Sequence, residues 1–385
     1  MIVIHLGLTD FRNYETLDVE LHRGANLFVG SNGQGKTNLV EALGYLSTLG
    51  SHRVSIDHAM IRQGQDAAIV RARLSHDDRE VLAEVQINRS GANRAQVNRS
   101  AIRTRDLPRY FSSVLFAPED LALVRGEPSG RRRFMDELLI LRTPRMSGVI
   151  ADYERVLRQR NTLLKTARNA RGELGTLDIW DERLVALGSE IIVARGALVD
   201  ELSPEVASAY ESIAGADHAA GLTNYLSILA TGSDDETVDA TATRSGPLEQ
   251  PVVADGFRAA LARLRRAELD RGLTLAGPHR DDLVLELNGL PARGYASHGE
   301  SWSFALALKL ASAAVLRRES SAGDPVLILD DVFAELDESR RARLASAVGD
   351  FEQVLITAAV FDDVPTELAT HVVRIRAGEV IPDGE

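Results

Sequence analysis

Residues 30–37 read GSNGQGKT, a complete G-x-x-x-x-G-K-T pattern, and no other stretch constrains the fold as tightly. A short apolar run, Asn26–Val29, precedes it, and a segment with helical periodicity, Lys36–Leu49, follows. Strand, glycine loop and helix in that order build a phosphate cradle. Gly30, Gly33 and Gly35 let the backbone of Gly30, Ser31, Asn32, Gly33, Gln34 and Gly35 curl so that its N–H groups converge at the positive end of a helix. Lys36 can then reach the β- and γ-phosphates of a nucleotide, and the Thr37 hydroxyl can ligate Mg²⁺. A chance glycine turn would need neither the strand nor the helix.

The partner of such a loop is a carboxylate at the end of a buried strand, and VLILDDVFAELD at 326–337 supplies it. Four apolar residues run into Asp330 and Asp331. Asp330 is the candidate metal-holding acid, and Asp331, at the strand tip, is the candidate that polarises an attacking water. A nearly all-apolar strand of this kind belongs in a parallel sheet covered by helices on both faces. Asp330 lies 294 residues beyond Lys36. Distant ends of the chain must therefore complete one sheet, with everything between them inserted.

The rest of the chain supports an α/β class. Segments Ile2–Leu8, Leu17–Leu21, Ala68–Leu74, Val81–Ile87 and Arg94–Val97 alternate as strands, with a turn expected at 88–93. Residues 112–124 predict a buried strand broken at Pro118. From Gly130 to about Leu229 the spacing predicts helix throughout, and residues 230–256, with a net charge of −5, read as an acidic loop. A helix near Gly256–Arg271, a strand at Leu283–Leu287, a helix at Ser301–Arg317 and strands at Gln353–Ile356 and His371–Arg376 complete the reading. The expected organisation is an ATPase lobe from residues 1–128 and 257–385 around a helical lobe at 129–256.

Composition removes several alternatives. The chain has 385 residues and no cysteine, which excludes disulfides, thiolate metal sites and cysteine nucleophiles. The N-terminus lacks a signal-peptide pattern, and no uncharged run approaches the ~18 apolar residues of a membrane span, so a cytoplasmic protein is expected. The net charge of −12 opposes nucleic-acid binding if read as a total. Its distribution does not. Residues 86–109 carry Arg89, Arg94, Arg99, Arg103, Arg105 and Arg109 against Asp106 alone, a net +5, and Arg131, Arg132 and Arg133 form a second island with Arg125 nearby. Either these arginines face acids distant in sequence, or they touch DNA phosphates. With no aromatic residue interleaved in the first island, backbone contact to duplex suits them better than base stacking.

Between the two ATPase segments lies ASHGESWSFALALKLA (296–311), a Ser-x-Gly-Glu turn entering a helix 33 residues before Asp330. Alone it is an ordinary helix cap. In this order and spacing it resembles the signature of ABC-type ATPases, whose serine and glycine bind the γ-phosphate held by the opposite subunit. LTDFRNYETLDVEL (8–21), the loop segment to Arg53, LFAPEDLALVRGEPSGRRRFMD (115–136), AGPHRDDLVLELNG (276–289) and LILDDVFAELD (327–337) together resemble the RecF family of SMC-like, ABC-type P-loop ATPases across essentially the whole chain.

That resemblance implies an ABC-type P-loop head built from both chain ends with an inserted helical second lobe. It implies ATP and Mg²⁺ sandwiched in a homodimer that binds DNA. It also implies recombination mediator partners that help load recombinase at gaps, in recombinational repair, replication and the SOS response. Ser297, Gly299 and Glu300 would form the trans signature, Asp330 and Asp331 the metal and water groups, and 334–337 the loop crossing the dimer interface. His298 stands where the family usually has glutamine. Ala117/Pro118 and Thr357 stand where ABC proteins commonly place a glutamine and a histidine, which points to slow, weak ATP hydrolysis. Roles for Arg53, and for His279 and Arg280 between nucleotide contact, partner-subunit contact and structural turn, stay open. A nucleotide-binding subunit of another ABC-type assembly is the alternative.

Overall fold

The computed structural model describes residues 1–77, 79–169, 175–215, 218–230, 242–320 and 323–381. Asp234, Asp235, Glu236 and Asp239 of the expected acidic loop lie outside the described residues. The chain divides into unit 1 (Met1–Leu121, Ser208–Asp217, Trp302–Glu385) and unit 2 (Ala122–Ala207, His218–Ser301).

Unit 1 opens with β1 (Ile2–Phe11), β2 (Tyr14–Glu20), β3 (Gly24–Val29), α1 (Lys36–Thr48), β4 (Ala67–His76), β5 (Arg79–Asn88), β6 (Arg94–Val97), β7 (Ser100–Ile102) and β8 (Ser113–Phe116). The middle of the chain forms α2 (Leu121–Arg125), α3 (Pro128–Arg142), α4 (Met146–Asn169), α5 (Gly175–Ala214), β9 (Ala220–Tyr225), β10 (Thr243–Arg244) and α6 (Gln250–Arg271). After these come β11 (Asp282–Leu287), β12 (Leu290–Pro291), α7 (Ala292–Tyr295) and α8 (His298–Glu319). Unit 1 closes with β13 (Val326–Asp330), α9 (Glu338–Val348), β14 (Gln353–Ala358), β15 (His371–Arg376) and β16 (Glu379–Ile381).

Unit 1 holds two sheets. One is antiparallel in the order β2-β1-β4-β5-β6-β7; the other runs β16-β15-β3-β14-β13-β8 and is parallel except for β16. Helix α1 touches strands of both, and its consecutive residues Leu39–Ser47 are all buried. A helix covered on every side cannot carry the one-sided polarity of a surface helix, which is why its apolar residues run nearly without interruption. In the antiparallel sheet, Ala83, Val85 and Ile87 of β5 point into the core at alternate positions.

The middle of the chain differs from the sequence reading in three respects. The helices end at Ala214, and Ala220–Tyr225 is a strand whose Ala220, Leu222 and Asn224 are buried in alternation. Its partner is β11, distant in sequence, so periodicity alone could not reveal the four-stranded antiparallel sheet β10-β9-β11-β12. Residues 250–256 are helix, not loop. Pro251 occupies the first turn of α6, where its missing N–H costs nothing. Residues 257–301, expected beside the C-terminal ATPase segment, fall in unit 2, where Val253, Phe257, Ala260 and Leu261 pack on Tyr153 and Val156. Among the described residues no helix is long and apolar enough to cross a membrane.

Candidate functional site

The parallel strands β3, β14 and β13 end on one side of their sheet, so the segments that follow them meet there. The phosphate loop follows β3 and delivers Lys36 and Thr37 into the first turn of α1. Two glycines are required by close approach. A Cβ on Gly30 would lie 2.2 Å from the Ile375 carbonyl oxygen; one on Gly35, whose φ is 115°, would lie 2.7 Å from the Tyr14 hydroxyl. Gln34 is held at the loop crest, where its carbonyl accepts from the Gly378 N–H at 3.1 Å and from Asn13 Nδ2 at 3.3 Å.

Strand β14 lies between β3 and β13, with Thr357 opposite both Phe28 and Asp330. This order decides which residue bridges the site. The Thr357 hydroxyl donates to Asp330 Oδ1 at 2.6 Å, and the Thr37 hydroxyl donates to the same oxygen at 3.0 Å. Thr357 Oγ1 also accepts the Asp331 N–H at 2.9 Å. The position that lacks the histidine common in ABC proteins thus ties the two aspartates together. Asp331 has a left-handed backbone, φ 51°, at the strand tip. Its Oδ1 is buried without a hydrogen bond among the described residues. Burial raises its carboxyl above the ordinary range, opposed by the Lys36 ammonium and reinforced by Asp330.

The donor set suits Mg²⁺ with a triphosphate. Among the described residues no cluster of three or more His, Asp or Glu could hold a metal unaided. Two carboxylates and one hydroxyl are too few for an all-protein cage. They match an ion that takes its remaining oxygens from phosphate and water. The buried, unsatisfied Asp331 oxygen is the observation that calls for such a partner.

Sequence reasoning missed what braces this loop. Glu41, fully buried in α1, accepts a two-pronged pair from Arg12 at 2.8 and 2.6 Å and a hydrogen bond from the Ser51 hydroxyl. Arg53 donates to Asn38 Oδ1 at 2.8 Å and lies 3.7 Å from Glu41. His52, between Ser51 and Arg53, places Nε2 3.8 Å from Asp330 Oδ2. A lone glutamate inside an apolar helix was the available signal for Glu41. His52 offered none.

In unit 2, Ser297 and Glu300 form a reciprocal cap on α8. The Ser297 N–H donates to Glu300 Oε2 at 2.7 Å, and the Glu300 N–H donates to Ser297 Oγ at 3.3 Å. Ser297 and His298 are exposed, and Gly299 is half-buried.

The arginines separate sharply. Arg131 is buried, grips Asp282 with both prongs at 2.8 and 2.7 Å, and donates to the carbonyls of Leu123 and Gly126. It presents no guanidinium to a DNA backbone, which corrects its place in the second island. Half-buried Arg132 donates to the Asp281 carbonyl at 2.8 Å, and exposed Arg133 pairs with Glu137. In contrast Arg89, Arg94, Arg99, Arg103, Arg105 and Arg109 are all exposed in unit 1. Arg89 donates to the Gln65 carbonyl and Arg109 faces Asp106, whereas Arg94, Arg99, Arg103 and Arg105 form no ion pair among the described residues.

GPHRDD is a structural hub of unit 2. His279 is clamped between the Tyr153 hydroxyl, 2.7 Å from Nδ1, and the Thr274 carbonyl. Burial lowers its pKa to about 3, so the imidazole is neutral. Asp281 accepts from the Ser227 N–H and hydroxyl, and burial raises its pKa to about 6.

A family model described as RecF/RecN/SMC N terminal domain matches residues 2–379. A DNA replication and repair protein RecF from Clavibacter michiganensis subsp. michiganensis is 67% identical over 99% of this chain and 96% of its own. Its namesake from Leifsonia xyli subsp. xyli is 65% identical over 99% of both. A solved structure of the recombination mediator protein RecF with ATP in the RecFOR pathway superposes with a TM-score of 0.87 at 27% identity, covering 98% of this chain and 96% of the other. An SMC head bound to the C-winged helix domain of ScpA, at 14% identity, shares the fold with a TM-score of 0.53 over 99% of this chain and 97% of the other. The fold is thus an α/β head of the SMC class with a long helical insertion. Within that class, the chain belongs to the RecF family of DNA replication and repair proteins.

Proposed function

We propose that this protein is an ATP-gated DNA-binding switch. The observation that carries the reading is the junction of Thr37, Asp330 and Thr357, which joins the phosphate loop to the strand-end acids in one hydrogen-bonded set. Thr37 and Asp330 would hold Mg²⁺, and Gly30–Lys36 the triphosphate. When bound, the metal neutralises phosphate charge. Lys36 adds a cation, Asp331 offers a free carboxylate oxygen to a water, and Thr357 fixes both aspartates. With neither glutamine at 117/118 nor histidine at 357, nothing at those positions drives rapid turnover, which suits a weak, DNA-stimulated ATPase acting as a timer.

Ser297, Gly299 and Glu300 would complete the site of a second copy, so that ATP drives homodimerisation. The dimer would join the arginine surfaces at 89–109 on a DNA backbone without reading sequence. The relative solved with ATP supports nucleotide binding, and its RecFOR pathway supports recombination mediator partners in repair. The test is a titration of gapped and intact duplex against salt, with and without ATP. ATP should confer tight binding whose logarithm falls steeply with log salt. Equal affinity in both conditions would sink the switch.

A further inference from the structure

Outside the residues already given roles, one side chain aims an unused polar atom at the nucleotide site. His52 Nε2 is buried, has no hydrogen-bond partner among the described residues, and lies 3.8 Å from Asp330 Oδ2. That distance is too long for a hydrogen bond. The other oxygen of Asp330, Oδ1, already accepts from Thr37 and Thr357, so His52 addresses the free side of the acid.

The loop carrying His52 is not loose. The buried Ser51 hydroxyl donates to Glu41 and accepts the N–H groups of Arg53 at 2.9 Å and Val54 at 3.1 Å. Arg53 is tied to Asn38 on α1. The imidazole is therefore held in place by both chain neighbours, with its side chain only 15% exposed. A buried polar atom without a partner costs about 1–3 kcal/mol, and a histidine serving only to pack would not be braced in that state.

We propose that His52 is a positioning residue of the nucleotide site. Its Nε2 hydrogen-bonds an oxygen of the metal–triphosphate, or of the metal's water shell, lying against Asp330. It thereby supplies from the loop after α1 the imidazole absent at Thr357. The inference rests on the reading of Gly30–Thr37 and Asp330 as a Mg²⁺–ATP site.

The experiment titrates Mg²⁺ into wild-type, His52→Ala and His52→Gln proteins with a fluorescent non-hydrolysable ATP analogue, and records the thermal midpoint of each free protein. In the alanine variant the half-saturating Mg²⁺ concentration should rise about 10–100-fold. Metal-free analogue affinity should stay within about twofold and the free protein's midpoint should not fall. Glutamine, which keeps a donor and an acceptor, should recover most of the loss. Wild-type binding with an unchanged Mg²⁺ dependence in His52→Ala overturns the proposal. So does a parallel loss of metal-free affinity and midpoint, which marks a structural role, or a glutamine variant no better than alanine. A wild-type protein that binds no Mg²⁺–nucleotide overturns the underlying reading itself.

Discussion

At the scale of single residues, arginine identity says little until burial is known. Arg131 and Arg99 belong to islands of similar appearance in the sequence. Arg131 is 4% exposed and bound to Asp282, whereas Arg99 is exposed. Replacing each with alanine should produce opposite phenotypes. Arg131→Ala leaves Asp282 without its cation and should lower stability by about 3–5 kcal/mol. Arg99→Ala should leave unfolding within about 0.5 kcal/mol and reduce the salt slope of DNA binding by about 1. Denaturant unfolding and salt-dependent binding of both variants measure this. A normal slope in Arg99→Ala removes that residue from the proposed DNA surface.

At the scale of elements, turns and caps decide what a motif presents. The β6–β7 hairpin closes through Asn98 and Arg99, both at positive φ (50° and 65°), and Asn98 is stitched to Leu82 by its N–H and its side chain. Asparagine tolerates that conformation well and arginine poorly, so the turn holds an exposed guanidinium at its tip. The α8 cap has a comparable double character. Ser297→Ala should cost about 1 kcal/mol through the lost cap, yet leave the helix in place. Ser297→Arg adds bulk and positive charge where the second copy's triphosphate would approach. Light scattering should then show no ATP-driven dimer, while equilibrium ATP affinity stays near wild type. Loss of ATP affinity along with the dimer would make this turn a local structural feature only.

For the whole molecule, stability depends also on buried titratable groups of unit 2. His279 is kept neutral in the fold, with a pKa of about 3 against 6.5 for a free histidine. Below 6.5 the unfolded chain gains a proton that the folded one refuses, so this group's share of stability falls as pH falls. Asp281 acts the other way. Its pKa of about 6, against 3.8 when free, means that stability falls as pH rises between those values. In wild type the two oppose each other from pH 4 to 6. Asp281→Asn removes one side, so the variant's unfolding free energy minus the wild type's should climb by ~1.4 kcal/mol per pH unit in that window. Chemical unfolding followed by circular dichroism at several pH values reads it. A constant difference would show that the Asp281 carboxyl titrates alike in both states.

The sequence by itself determined the phosphate loop, the acid pair at the end of a buried strand, and the closure of one sheet by both chain ends. These features are local: glycines at fixed spacing, an apolar run meeting two aspartates, alternation along a strand. Only the tertiary structure decided that β14 lies between β3 and β13, which makes Thr357 the bridge to Asp330. It alone brought β9 to β11, buried Arg131 against Asp282, and turned His52 toward the acid. Each of these pairings joins residues far apart in the chain. Periodicity reports which face of an element is buried, and only packing determines what that face meets.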